Sequence, residues 1–428
     1  MNIAIIGAGF TGLSAGYTLA KHKHKVTLFE KDALPGGLAL GFREKEWEWS
    51  LEKHYHHWFA NDTSVLNLAK EIHHEVIVKR PKTSVYVNES IYQLDSPMHV
   101  LTFPKLPIRD RLRMAVVLGV LKYNPFWQPL EHIQASNFLS KSMGKNAYQT
   151  LWEPQLHNKF GSYIDDISLA WFWARIKKRT AKLVYPKDGF LSFANDLVKT
   201  IEAHGGKIFF DTEVKEITSK KNVQVKFGIG NLKFEIRNYD KVVVTLPSFF
   251  FLKIAPQLPE DYKKKLNQLK GLGAINLVLR LKEPFLTDGT YWLGICDKNA
   301  PIMAIVEHTN FMDKKYYNNE HIVYLGNYLP ADHPYMKMTA TELLKTYDPY
   351  LKKINSTYHL SLITYHLFRV PFAQPIIPLN YSKIIPPFQT PLPNVYLANI
   401  QQVYPWDRGT NYAVELGGKV ARLIASVL

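Results

Sequence analysis

The stretch that most limits what this chain can fold into is its first, MNIAIIGAGFTGLSAGYTLAKHKHKVTLFEKDALPGG. Gly7, Gly9 and Gly12 stand between an apolar strand and a helix. Gly7 allows the tight turn, Gly9 lets backbone approach a pyrophosphate, and Gly12 lets helix and strand pack closely. The anion then rests on the free N–H groups and positive dipole end of the helix. Glu30 follows 18 residues after Gly12, at the end of the next apolar run. A carboxylate there accepts from ribose hydroxyls and repels a 2′-phosphate, which disfavours NADP.

The rest of the 428 residues reads as alternating elements with no repeat and no low-complexity tract. IRDRLRMAVVLGVLKY (108–123) has helical length. GFLSFANDLVKTIEAHGGKIFFDTEVKEIT reads as helix, glycine stop, strand, turn and strand, and YDKVVVTLP as a buried strand. AINLVLRL, IMAIVEHT and HIVYLGNYL are strand-like, and seven prolines from Pro371 to Pro393 mark an extended crossing. NVYLAN and NYAVELGGKVARLIASVL close the chain as strand and helix. Nucleotide-type pieces at the start, middle and end imply two interleaved domains rather than two in series.

Composition excludes several classes. Cys296 is the one cysteine, so neither an internal disulfide nor an all-cysteine metal cage is possible, and a reducing, cytoplasmic setting is expected. The first strand is expected to begin at Asn2, so no secretory signal is expected. A net charge of +16 suits anionic ligands, an anionic membrane face or nucleic acid. No zinc-finger, RRM or basic-zipper pattern is present, so nucleic acid is not expected. The apolar run MAVVLGVL (114–121) is too short to span a bilayer, which takes about 20 residues. Arg109, Arg111, Arg113 and Lys122 bracket it. The 109–122 stretch reads either as a peripheral patch on the inner face of a membrane or as a core helix with basic ends. Oligomeric state has no signature here.

Glycines recur at Gly36–Gly37, just past Glu30. With the first fingerprint, this pair resembles the flavin-containing amine oxidase superfamily, which includes protoporphyrinogen oxidases and phytoene-type desaturases. LWEPQLHNKFG (151–161), EVKEI (213–217) and YPWDRGTNYAVELGGKVA (404–421) extend the resemblance over most of the chain. It implies an α/β architecture, with a Rossmann-type FAD-binding domain (1–75, 185–250, 389–428) interleaved with an α+β substrate domain. The latter would comprise a mainly helical part (76–184) and a mixed-sheet part (251–388). FAD is the implied cofactor, held by Gly7, Gly9, Phe10, Thr11, Gly12, Glu30, Lys31, Gly36, Gly37 and Leu38. Val214 would touch adenine through its backbone. Asn399, Arg408, Gly409, Thr410 and Asn411 would surround the start of a last helix whose positive end faces the flavin pyrimidine. Leu38 stands where many members have Arg, and Ala398–Asn399 replaces the usual Gly-Asp; Asn399 can still hydrogen-bond a phosphate or ribityl group. GIGNLK (228–233) and GLGAIN (271–276) lack a third glycine, so no second dinucleotide site is expected, and dioxygen, a quinone or another acceptor would reoxidise the flavin.

Catalytic candidates are polar groups on strands that could face the ring. EKHYHHWF offers Glu52, His54, Tyr55, His56 and His57, either for substrate or flavin contact or for structural hydrogen bonds. His56 and His57 diverge on a strand, which argues against a shared metal. In EHTNF, alternation would put Glu307 and Thr309 on one face and His308 and Asn310 on the other, as site residues or as a polar strand end. Tyr328 could close an aromatic wall. Arg408 would bind a substrate carboxylate or phosphate, or pair with Asp407. The leading expectation is an FAD-dependent oxidase, dehydrogenase or desaturase that takes a hydride from a moderately large apolar or amine-bearing small molecule. The alternative is a flavin-dependent nucleotide-sugar isomerase resembling UDP-galactopyranose mutase.

Overall fold

The computed structural model describes residues 1–229 and 234–426. Five parallel strands form one sheet in the order Lys207–Phe209, Lys25–Phe29, Asn2–Ile6, Lys241–Val244, Val395–Leu397. The first strand (β1, Asn2–Ile6) is central and later strands spread to both sides, as in doubly wound sheets. Ile3 to Ile6 and Val242 to Val244 are buried on both faces, because helices cover parallel sheets front and back. The following helix (α1, Phe10–Lys21) leads into β2 (Lys25–Phe29).

Packing around α1 is closer than side chains would permit. A Cβ on Gly12 would lie 1.9 Å from the Gly7 carbonyl oxygen, and one on Gly417 would lie 2.3 Å from that of Thr11. Gly417 belongs to the last helix, Thr410–Ala425, which thereby lies directly on α1. Ser14 Oγ donates across this contact to the Val414 carbonyl at 2.8 Å.

A seven-stranded sheet has the order Leu362–Pro375, Gly271–Leu281, His321–Leu329, Ala304–Glu307, Thr290–Ile295, Lys82–Val87, Ser90–Gln93. Along strand Gly271–Leu281, alternate side chains serve different neighbours. Ile275, Leu277, Leu279 and Leu281 pack in one core with Leu343, Tyr347 and Leu351 of helix Ala340–Ile354. Ala274, Asn276 and Val278 therefore face the opposite side, toward the nucleotide-type domain.

Segment 76–184, expected to be mainly helical, is helical only from Pro97 onward. Before that, Lys82–Val87 and Ser90–Gln93 form a hairpin on the seven-stranded sheet. Its turn residues Asn88 and Glu89 have φ of 46° and 60°, the left-handed conformation that matches strand twist. Asn-Gly would have announced that turn; Asn-Glu did not. Of the two glycine-poor fingerprints, GLGAIN begins strand Gly271–Leu281, while residues 230–233 of GIGNLK lie outside the described residues.

Helix Ile108–Tyr123 spans the stretch expected to be helical. Met114 and Leu121 are buried, whereas Ile108, Leu112, Val116 and Val120 form an outward row, each between 53% and 71% exposed. Three of the bracketing cations are tied down. Arg111 donates to the Leu106 carbonyl, Arg113 to those of Ser142 and Lys141, and Lys122 to those of Ile176, Lys177 and Arg179. Among the described residues, no helix is long and apolar enough to cross a membrane.

Candidate active site

The β1–α1 loop and the Gly36–Gly37 turn meet backbone to backbone. The Gly36 N–H donates to the Ala8 carbonyl at 3.0 Å, and a Cβ on Gly37 would lie 3.0 Å from Gly9 Cα. Gly7 and Gly36 hold φ of 101° and 131°, conformations that side chains disfavour. Gly9 caps α1 without a side chain, so the N–H groups of Phe10, Thr11 and Gly12 have no acceptor within the helix. The Phe10 ring itself stacks on Phe193 at 5.5 Å, which leaves only its backbone for a ligand. Glu30 braces the loop: Oε2 accepts from the Ala8 N–H at 2.7 Å and Oε1 from the Asp32 N–H at 3.0 Å. Each oxygen keeps a lone pair for a hydroxyl. Beyond Glu30, Val214 is buried beside a bulge in strand Thr212–Ser219, and exposed Lys31 lies 5.7 Å over the Phe250 ring.

A small cavity opens where this cradle ends, at Leu38. Leu38, Ala274 and Ala373 supply apolar wall, and His54, His56, Asn276, Asn327, Tyr328 and Arg408 supply polar wall. His54 Nδ1 lies 2.5 Å from the amide nitrogen of Asn276. That nitrogen only donates, so Nδ1 carries the lone pair and Nε2 the proton. His56 is the reverse: its Nδ1 lies 2.6 Å from the His54 carbonyl oxygen, which only accepts, so Nε2 carries the lone pair. Burial pushes His54 down to about 3 and His56 to about 4, which keeps both neutral at pH 7. One imidazole N–H and one imidazole base therefore share the wall. Asn276 Oδ1 is buried without a partner.

Arg408 turns toward the same cavity. It donates through Nε to Gln374 at 2.9 Å and through an Nη to the Tyr328 hydroxyl. Its side chain does not pair with Asp407, one of the two roles expected for it. The Asp407 carboxylate takes Arg175 at 2.9 Å and Trp171 Nε1 at 3.1 Å, and receives only the backbone N–H of Arg408.

Other candidates lie elsewhere. Strand Ala304–Glu307 ends at Glu307 and His308–Asn310 form a 3-10 turn, so the expected alternation stops there. Glu307 is wholly buried; it accepts from the N–H groups of Phe285 and Leu286 and lies 3.2 Å from His321 Nδ1. His308 shares a 2.8 Å hydrogen bond with Tyr317 among tyrosines 185, 317 and 324. His57 faces Tyr291 at 3.0 Å. Asn399 spends its amide on the Leu246 carbonyl, Ser248 Oγ and the Gln401 N–H, so both its hydrogens serve the loop rather than a phosphate or ribityl group. Asn411 Oδ1 accepts from the Val65 N–H at 3.1 Å. Gly409 caps the last helix without a side chain, so the backbone N–H groups of Thr410 and Asn411 are what this turn presents. The structure thus brings His56, Tyr328 and Arg408 together and leaves Glu307 and His308 inside the fold. Sequence reasoning missed Asn276; a lone amide inside the apolar run AINLVLRL was the available signal. Among the described residues, no cluster of His, Cys, Asp or Glu is placed to hold a metal ion.

The sequence pattern of flavin containing amine oxidoreductases matches residues 10–425. The chain belongs to that family. Its cofactor is FAD, and the bare glycine cradle, the uncapped α1 and the buried Glu30 fit the extended dinucleotide. Coproporphyrinogen III oxidase of Staphylococcus aureus (strain NCTC 8325 / PS 47) is 26% identical over 309 residues, 62% of this chain and 65% of that protein. The chain thus spans just under two thirds of that family member. The 15-cis-phytoene desaturase of Glycine max is 22% identical over 93% of this chain and 75% of its own. In fold, reduced UDP-galactopyranose mutase matches with a TM-score of 0.77 at 15% identity, over 100% of this chain and 94% of that one.

Proposed function

We propose that this family member is an FAD-dependent oxidoreductase that removes a hydride from a moderately large, mainly apolar small molecule held between Leu38 and the strand bearing Asn276. The observation that carries this reading is the neutral His54–His56 pair, a donor and a base that share a cavity with Leu38, Ala274 and Ala373 where the dinucleotide cradle ends. When bound, FAD supplies the two-electron acceptor. The chain's own part is positional. Leu38, Ala274 and Ala373 exclude water, the His54 Nε2–H orients an acceptor on the substrate, and His56 Nε2 takes the proton released on oxidation. An amine-bearing substrate is disfavoured in its ammonium form, because Arg408 is a fixed cation on the same wall.

The test is anaerobic mixing of the yellow holoprotein with porphyrinogens, polyenes, amines and nucleotide sugars. Bleaching of the visible flavin band by a porphyrinogen or polyene, restored by air, supports the reading; absence of bleaching by every compound overturns it. The nucleotide-sugar isomerase reading is favoured by the cationic Arg408 and by the likeness of fold. It predicts turnover only after prior reduction with dithionite, with the spectrum unchanged over a cycle.

The outward row Ile108, Leu112, Val116 and Val120 supports peripheral contact with an anionic bilayer, with exposed Lys105 and Arg109 beside it. At about 40° per four-residue step the row stays on one face. Sedimentation with phosphatidylglycerol vesicles, lost in Leu112→Glu/Val116→Glu, checks it; equal sedimentation of both proteins would refute it.

A further inference from the structure

Cations outnumber carboxylates behind the phenol of Tyr328. Lys159, on helix Glu153–Phe160, places its ammonium 4.6 Å from the Tyr328 ring centroid, and the guanidinium of Arg408 lies 4.8 Å from the same centroid. Arg175, on helix Leu169–Lys178, stacks 5.0 Å from the Trp171 ring, which Lys159 also approaches at 5.7 Å. The one acid of the group, Asp407, already pairs with one of these cations: one oxygen accepts from Arg175, the other from Trp171 and the Arg408 backbone.

Lys159 is only 9% exposed. Among the described residues, no acceptor lies within hydrogen-bonding distance of its ammonium and no carboxylate lies within ion-pair distance of Lys159 or Arg408. Burial and then Arg175 hold Lys159 well below the usual lysine range. Arg175 and then burial bring nearby Arg179 down to about 9, and Asp407, although burial opposes it, is held at about 2 by Lys159 and Arg175. A buried surplus of positive charge is destabilising unless the lysine gives up its proton or an anion joins it, and an anion bound here would favour the ammonium form. Here the surplus abuts the cavity, because Tyr328 and Arg408 line it.

We propose that Lys159, Arg175 and Arg408 form an oxyanion subsite at the Tyr328 wall, and that the substrate carries a carboxylate or phosphate bound there. This rests on the reading of the cavity as the substrate site. The guanidinium groups offer forked donors suited to planar or tetrahedral oxyanions, and Lys159 adds a point charge. The apolar body of the substrate then extends toward Leu38 and Ala274.

The experiment is calorimetric titration of the FAD-loaded protein with benzoate, phenyl phosphate, benzamide and benzylamine, with the flavin difference spectrum recorded in parallel. Benzoate or phenyl phosphate should bind one per chain and perturb the flavin, whereas benzamide and benzylamine should bind at least about tenfold more weakly. Tighter benzoate identifies a carboxylate substrate and tighter phenyl phosphate a phosphorylated one. Lys159→Gln and Arg175→Gln should each weaken the anion about tenfold or more with flavin content unchanged, and Lys159→Arg should retain it. Should Lys159→Gln fail to fold, Lys159→Met and Arg175→Gln provide the same comparison. A yellow protein that binds neither anion, or whose variants bind them as the parent does, overturns the subsite. A protein that takes up no flavin instead refutes the oxidoreductase reading itself.

Discussion

His54 Nδ1 and the amide nitrogen of Asn276 lie 2.5 Å apart although 222 residues separate them in the chain, and this contact fixes the imidazole tautomer. Replacing Asn276 by Asp reverses the hydrogen bond, since a carboxylate only accepts. The proton then moves to Nδ1, and the adjacent carboxylate raises the His54 pKa above about 3. Titration of ¹⁵N-labelled histidine by NMR reads the change; an unmoved His54 resonance would show that the pair is not coupled.

His56 titrates at about 4 because burial disfavours its charged form. Its Nε2 is therefore unprotonated, with a lone pair free, throughout the neutral range. With a reducing substrate in hand, the rate of flavin reduction should show no inflection from His56 between about pH 5 and 9. An inflection near the ordinary histidine value, abolished in His56→Gln, would mean that the imidazole is solvated.

The glycines of the first loop separate by their surroundings. At Gly9 a Cβ would meet only Gly37 Cα at 3.7 Å, so Gly9→Ala should fold and yet lose FAD affinity about tenfold or more, because the methyl occupies the pyrophosphate cradle. At Gly12 the same methyl would lie 1.9 Å from a carbonyl oxygen, so Gly12→Ala should destabilise the fold by about 3 kcal/mol or more. Flavin content and thermal melts of the two proteins distinguish the effects.

Glu52 is fully buried, accepts from the Tyr185 hydroxyl and the Phe190 N–H, and is raised by burial from 4.5 to about 7. A raised folded-state pKa means that the native state keeps a proton the unfolded chain has lost. Stability from this group is therefore full below pH 4.5, falls as pH rises toward about 7, and is level above, a loss of about 3 kcal/mol. Glu52→Gln should be more stable relative to the parent at pH 8 than at pH 4. Denaturant melts at both values that gave the same difference would contradict this.

Glu307 receives the N–H groups of Phe285 and Leu286 in a wholly buried setting away from the cavity. Glu307→Ala strands both donors and should lower stability by about 2–4 kcal/mol. Flavin content and reduction rate, measured below the new melting temperature, should stay at parent levels; a large fall in the rate alone would assign Glu307 to the chemistry.

The nucleotide-binding unit was readable because its instructions are local. Gly7, Gly9 and Gly12 determine one turn, Glu30 ends the adjacent strand, and the helical and strand periods of 108–123 and 190–203 or 241–244 are carried by residues a few positions apart. The cavity is different in kind. Leu38, His54, Asn276, Tyr328, Ala373 and Arg408 come from distant stretches, and they meet only because strand Gly271–Leu281 pairs in a register that sets Asn276 opposite Gly326. A shift of one residue would turn Asn276 into the core beneath helix Ala340–Ile354 and bring Leu277 to the cavity. Asp407 shows the same limit: its neighbour Arg408 was the obvious partner in sequence, yet adjacent side chains diverge, and Arg175, 232 residues away, holds the carboxylate. Local backbone preference thus determined the cradle from the sequence by itself. Long-range register and packing alone decided which side chains share a cavity, since no short stretch of chain contains both partners of such a contact.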